Sequence, residues 1–170
     1  MPMAQPADIT FLKTVMLFEG LDDEQVGEIA SIVYKESVLA GMTILQEGEE
    51  GDKMYIIQEG TAEVSRTLTL KVTRNEFGQK EKTFIRLSPG FFFGEMALLE
   101  NDVRSATVAT ISDCILFVVD RETFNALCES QPAIGYKILR NIAKTISGRL
   151  RRTNQDVLKL TTALSLALMR

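Results

Sequence analysis

Apolar positions divide the chain into three regimes. Phe11, Leu12, Val15, Met16 and Phe18 recur at helical spacing and stop at Gly20, which predicts a first helix. Asp22 is placed to cap a second, whose Val26, Ile29, Ala30 and Val33 fall on one face. From Tyr34 to Val119 the pattern becomes that of extended chain, in short runs closed by Ala40-Gly41, Glu47-Gly48, Glu59-Gly60, Phe77-Gly78 and Pro89-Gly90. Ser65 to Thr73 and Thr83 to Leu87 read as the arms of a long hairpin with a charged tip, Arg74 to Lys80. Ile111 to Val119 is the most apolar of these runs and is expected in the core. Helix resumes at Asp120, a good cap, with Phe124 to Cys128 carrying its apolar face, and Pro132 sets the first turn of a longer helix. Along that helix Leu139, Ile142, Ile146, Leu150, Thr153, Val157, Leu160, Leu164 and Ala167 are separated by three or four residues. This is a seam of coiled-coil type, too long for a small barrel to cover, and a second copy of the helix is its simplest partner. Thr153 interrupts it, which suggests a polar partner of its own.

Strands spaced this way, with helices at both ends, predict an α+β fold that is mainly β, a sandwich or rolled barrel with N-terminal helices and a long C-terminal helix. Residues 1–10, with two prolines and little pattern, are expected to be a flexible N-terminus. Residues 11–130 form the roll domain with its flanking helices, and 131–170 the C-terminal helix, acting as lid and dimer seam.

Composition removes several function classes. With 170 residues, 45% of them hydrophobic, the chain can bury one sizeable core. No apolar run approaches the roughly 20 residues of a membrane helix, and the start lacks the basic and apolar regions of a signal peptide, so a cytoplasmic address is expected. Cys114 and Cys128 sit among apolar residues and read as inert thiols. There is no histidine, so the commonest metal ligand and general base is missing, and neither a metal nor catalysis is expected. The net charge of −4 argues against nucleic-acid binding by the whole chain. Lys137, Arg140, Lys144, Arg149, Arg151 and Arg152 do give the long helix a positive face, which reads most simply as a solvated balance to an acidic roll.

The candidate chemistry lies between Phe93 and Val108. A Phe run ends in Gly94, Met96-Ala97-Leu98 can begin a short helix, and Arg104 follows on a bend before Ala106-Thr107-Val108 turns extended. A helix start offers backbone N–H groups to an anion, and an arginine fork suits a phosphate. Glu95, being negative, is better matched to sugar hydroxyls, which donate to it. Ser105 adds a hydroxyl for phosphate or base, or for a nearby backbone group. One phosphate with one sugar describes a nucleotide monophosphate.

This cassette resembles that of the cyclic nucleotide-binding domains shared by bacterial catabolite-activator-type regulators, cyclic-nucleotide-dependent kinases and gated channels. The shared pattern is an apolar residue, Gly-Glu, small and aliphatic residues, a spacer, then Arg-Ser/Thr/Ala-Ala, and Phe93 to Ala106 breaks no position of it. A second signature of the family is similar to Ile44 through Gly60, with Leu45 a mild departure, and the resemblance runs from about Phe11 to Asn154. It implies a double-stranded β-helix, a jelly-roll-like β-roll, with N-terminal helices and a long C-terminal helix, serving as a bacterial regulatory module that binds a cyclic mononucleotide through Gly94, Glu95, Met96, Ala97, Arg104, Ser105 and Ala106, without a cofactor. Arg149 to Asn154 resembles the segment that meets the adenine amino group in bacterial regulators, so Thr153 is expected to accept from that group across a homodimer, while Asn154 tolerates either base. Cyclic AMP is therefore the expected ligand, with cyclic GMP left open by Ser105. In transcriptional regulators of the family a helix-turn-helix module follows the long helix. The stretch Leu158 to Met169 is too short for one, so direct DNA binding and a membrane partner are not expected, and the downstream protein partner stays open. The competing reading is a degenerate, ligand-free interaction module, against which the intact Gly94-Glu95 and Arg104 weigh.

Overall fold

The computed structural model describes residues 6–71 and 77–168. Eight strands, β1 (Tyr34–Val38), β2 (Thr43–Leu45), β3 (Lys53–Glu59), β4 (Ala62–Lys71), β5 (Phe77–Leu87), β6 (Phe92–Phe93), β7 (Thr107–Thr110) and β8 (Cys114–Asp120), build two antiparallel sheets. One has the order β1-β8-β3-β6 and the other β2-β7-β4-β5, so the chain passes from sheet to sheet as it winds, which is the expected β-roll.

The apolar run of β8 is explained by what covers each face. Cys114, Leu116 and Val118 turn into the roll, with Tyr55 and Ile57 of β3 beside them. Phe117 and Val119 turn outward with Met54 and Ile56, where the helices cover them. A strand buried on both faces loses the apolar–polar alternation that marks a half-exposed one. β8 pairs along its length with β1 and β3, which makes it central to its sheet. The predicted hairpin is β4–β5, in continuous register from Ala62↔Leu87 to Lys71↔Phe77 with one irregularity between Val64 and Ser65. Phe77 to Lys80 belong to β5 rather than to a tip, and Arg74 to Glu76 lie outside the described residues.

The helices differ from expectation at the N-terminus. Helix α1 spans Pro6–Leu12, so it begins within the stretch expected to be loose, and residues 1–5 lie outside the described residues. Pro6 suits a first helical turn, and Asp8 is buried, with its carboxylate 2.6 Å from Lys35 Nζ. The helix does not run on to Gly20: the Thr14 hydroxyl donates to the Phe11 carbonyl at 2.7 Å, and a separate tight turn, Met16–Phe18, follows. Leu12, Val15, Leu17 and Phe18 are nevertheless all buried, so the apolar spacing marked the core rather than one continuous helix. Helix α2 (Asp23–Ile32) opens as predicted, with the Asp22 carboxylate accepting from the Gln25 N–H and the Gln25 side chain returning to the Asp22 N–H.

A single turn, α3 (Met96–Leu99), lies between β6 and β7, and α4 (Arg121–Ser130) follows β8. Asp120 precedes α4, but its carboxylate does not cap it; Tyr34 donates to it at 3.4 Å and Lys53 Nζ lies 3.8 Å away. Helix α5 (Pro132–Leu168) has 37 residues, about 55 Å at 1.5 Å per residue. Its first half buries Ile134, Ile138, Asn141 and Ile142 on the domain, so Ile142 is a core residue and not part of the seam. Asn141 donates to the carbonyls of Leu17 and Glu19 at 3.0 and 2.9 Å, fastening α5 to the turn after α1. Leu139 and Leu150 face solvent, and every described residue from Leu150 onward is exposed. Among the described residues no helix is long and apolar enough to cross a membrane.

Candidate ligand-binding site

The site begins at the end of β6. Gly94 has φ of 76°, and a Cβ there would stand 2.9 Å from the Lys53 carbonyl oxygen and 3.1 Å from Arg104 Nη1, so both backbone conformation and space require glycine. The chain then turns through Glu95 into α3. The Ala97 N–H donates to the Gly94 carbonyl at 3.1 Å and the Leu98 N–H to that of Glu95 at 3.0 Å, so the turn itself engages the Ala97 N–H that the sequence offered to an anion.

Arg104 is held by the glycine-rich segment that precedes β3. Its N–H donates to the Glu49 carbonyl at 2.8 Å, its own carbonyl accepts from the Gly48 N–H at 2.9 Å, and its side chain donates to the carbonyls of Lys53 (2.9 Å) and Gly94 (3.4 Å). Gly51 lies against the guanidinium so closely that any Cβ would overlap it. Burial lowers the Arg104 pKa, Tyr55 and Asp52 offset this in part, and Arg121 adds to the lowering; the group nonetheless stays cationic, as arginine does in proteins. Two well-separated sequence signatures are thus one structural unit: the glycine turn positions the arginine of the cassette.

Glu95 is buried and pairs with Arg149 of α5. Arg149 also donates to the Phe92 carbonyl at 3.1 Å, and its guanidinium lies 5.6 Å from the Phe92 ring centroid. The Ser105 hydroxyl points to Met96, with its oxygen 3.9 Å from the sulfur. Arg121 braces this region from behind, donating to the carbonyls of Ala97, Gly51 (2.8 Å) and Glu100 (3.1 Å).

These groups border a cavity of about 210 Å³. Gly94, Glu95, Met96, Ala97, Arg104, Ser105 and Ala106 all line it. Leu45, Val64, Ile85, Leu87 and Val108 supply apolar walls from the second sheet, and Arg149 and Arg152 close it from α5. Thr153 and Asn154 are exposed and do not line it, and the Thr153 hydroxyl donates to the Arg149 carbonyl at 3.1 Å. Helical side chains lean toward the N-terminus, so a long Arg152 reaches back over the cavity where a short Thr153 does not. The sequence placed Arg149 and Arg152 on a positive face and within the segment Arg149 to Asn154, where Thr153 and Asn154 rather than the arginines were expected to meet the ligand; Arg121 and most of the apolar wall carried no signal distinct from ordinary core or surface.

Comparison with known proteins gives the family. The description "Cyclic nucleotide-binding domain" matches residues 35–131. The chain belongs to that family. It is 30% identical over 146 residues to the Cyclic AMP receptor protein of Thermus thermophilus, covering 86% of this chain and 62% of that protein. It is 36% identical over 117 residues to the human cGMP-dependent protein kinase 2, covering 68% of this chain and 14% of the kinase. The crystal structure of the Thermus thermophilus Catabolite Activator Protein superposes with a TM-score of 0.73 at 29% identity, over 86% of this chain and 63% of that one. The chain therefore spans less than two thirds of these relatives, and the matched family is a binding domain rather than a catalytic one.

Proposed function

We propose that this protein is a cytoplasmic, homodimeric sensor of a cyclic purine mononucleotide, cyclic AMP in preference to cyclic GMP, and that ligand binding repositions α5. The observation that carries the reading is Arg104, fixed at the cavity wall by two backbone clamps with the Ser105 hydroxyl beside it and the buried Glu95 on the same wall. In this reading the phosphate takes the Arg104 fork and the Ser105 hydroxyl. The ribose hydroxyls donate to Glu95, and the base lies against Leu45, Val64, Ile85 and Val108. These are a cation, an acceptor and an apolar slot, each suited to one part of the ligand. The intact set speaks against a degenerate, ligand-free module.

Coupling to α5 would run through Arg149, because this helix residue holds the carboxylate assigned to the ribose. A ligand shifts α5 only as far as it binds one helix position better than another, and a group that competes for or completes the Glu95–Arg149 pair supplies that difference. The homodimer is supported by the exposed seam, where Leu150, Val157, Leu160 and Leu164 are 58%, 56%, 70% and 60% exposed. The preference for adenine rests on Thr153, which, like the base-tolerant Asn154, lies outside one chain's cavity and would act only across such a dimer. The names of the relatives include both a cyclic AMP receptor and a cGMP-dependent kinase, so the base is decided by experiment. Calorimetric titration with cyclic AMP, cyclic GMP and 2′-deoxy cyclic AMP tests the whole assignment. The reading expects cyclic AMP to bind most tightly and its 2′-deoxy form weakly, and equal affinity for those two would remove Glu95 from the ribose.

A further inference from the structure

We propose that Met96 is an oxidation site that lowers cyclic nucleotide affinity, a step that rests on the function proposed above. Of the described methionines, Met54 is buried at 1% exposure, while Met16 and Met42 are 64% and 55% exposed and do not line the cavity. Met96 alone among them is both open to solvent, at 44%, and part of the cavity wall. Its sulfur lies 3.9 Å from Ser105 Oγ and accepts from the hydroxyl next to Arg104, on a side chain that solvent, and with it a small oxidant, reaches.

The chemistry needs only a peroxide. A sulfur lone pair attacks one peroxide oxygen, the O–O bond breaks, an S–O bond forms, and the remaining hydroxide takes up the proton lost by the transferred oxygen, leaving as water. Sulfur is oxidised by two electrons and the peroxide is reduced by two, and methionine sulfoxide reductases reverse the change. The product replaces a weak acceptor with a strong, dipolar one. The sulfoxide oxygen takes the single proton of Ser105 and turns its negative end toward the Arg104 side of the cavity, where the anion is to bind. Losing one hydrogen bond to a charged group and adding that repulsion predicts roughly a tenfold fall in affinity.

The test treats the full chain with hydrogen peroxide, follows each methionine by peptide mass spectrometry, and titrates treated and untreated protein with cyclic AMP. The expected result is about tenfold weaker binding that tracks conversion of Met96, recovery with methionine sulfoxide reductase, and the same response in a Met16→Leu/Met42→Leu variant. A Met96→Leu variant, whatever its starting affinity, should be unmoved by peroxide. The proposal is overturned if Met96 converts without change in affinity, if it resists while Met16 and Met42 convert, or if Met96→Leu still loses affinity on treatment. Failure of the untreated protein to bind cyclic AMP or cyclic GMP is a different result, which removes the sensor function and this proposal with it.

Discussion

Arg149, near the middle of the long C-terminal helix, forms an ion pair with Glu95, whose side chain is 5% exposed against 40% for the arginine. A carboxylate so buried would cost several kcal/mol if left unpaired. Arg149 therefore supplies the partner that this buried carboxylate needs. Because Arg149 is partly in water, its removal opens the site and lets solvent rehydrate the Glu95 carboxylate rather than leave it dry, so Arg149→Ala is expected to destabilise the fold by only about 1–2 kcal/mol. With Glu95→Gln already in place the same change should cost much less, giving a coupling of about 1 kcal/mol in a denaturation double-mutant cycle. Strictly additive losses would mean that the pair contributes nothing.

The contact of Gly51 with Arg104 predicts a local defect with a distant readout. Gly51→Ala places a methyl group on the guanidinium and should move it off the phosphate position, lowering ligand affinity at least about tenfold with little change in stability. Gly27 is the control: it lies inside α2 with open space around it, so Gly27→Ala should stabilise the fold by roughly 0.5–1 kcal/mol and leave binding alone. Thermal melts and titrations of both variants decide the matter, and unchanged binding in Gly51→Ala would show that Arg104 tolerates displacement.

Much of this arrangement was legible in the sequence, for reasons visible in particular residues. The cassette from Gly94 to Ala106 is read easily because its chemistry is contiguous: the turn at Gly94, the carboxylate of Glu95 directly after it, and a single arginine, Arg104. The roles of Gly51 and Arg121 were not, since their partners lie 53 and 24 residues away and a glycine or arginine looks alike in a turn and in a brace. Ile142 was misplaced on the seam because α5 carries two apolar faces, one on its own domain and one open to solvent, and spacings of three and four fit both. Asp120 sits where a cap belongs, yet tertiary partners, Tyr34 and Lys53, take its carboxylate.

Asn141 is the polar anchor of α5. Asn141→Ala leaves the Leu17 and Glu19 carbonyls without their side-chain donor and is expected to cost about 1–3 kcal/mol. Hydrogen exchange should then show earlier opening of the Met16–Phe18 turn and the start of α5 than of β8. A loss spread evenly over the domain would argue that Asn141 is not a specific fastening point.

The solvent-exposed seam predicts a dimer by light scattering, and Leu150→Glu with Leu164→Glu is expected to give a folded monomer. If Thr153 meets the adenine amino group across that dimer, Thr153→Val should weaken cyclic AMP and spare cyclic GMP, and the monomeric variant should lose the same preference. A wild-type monomer at every accessible concentration would contradict the seam, leaving the apolar face of α5 to another partner.

The central claim is that Arg104 binds the phosphate of a cyclic nucleotide, and calorimetry of the wild type beside Arg104→Ala tests it most directly. Removing the cation from a partly enclosed phosphate is expected to cost about 3–5 kcal/mol, or two to four decades of affinity, for cyclic AMP and cyclic GMP alike, with the unliganded protein still melting as a folded domain. Affinity in the variant within a few-fold of wild type, or no heat from either nucleotide with the wild-type protein, would contradict the account.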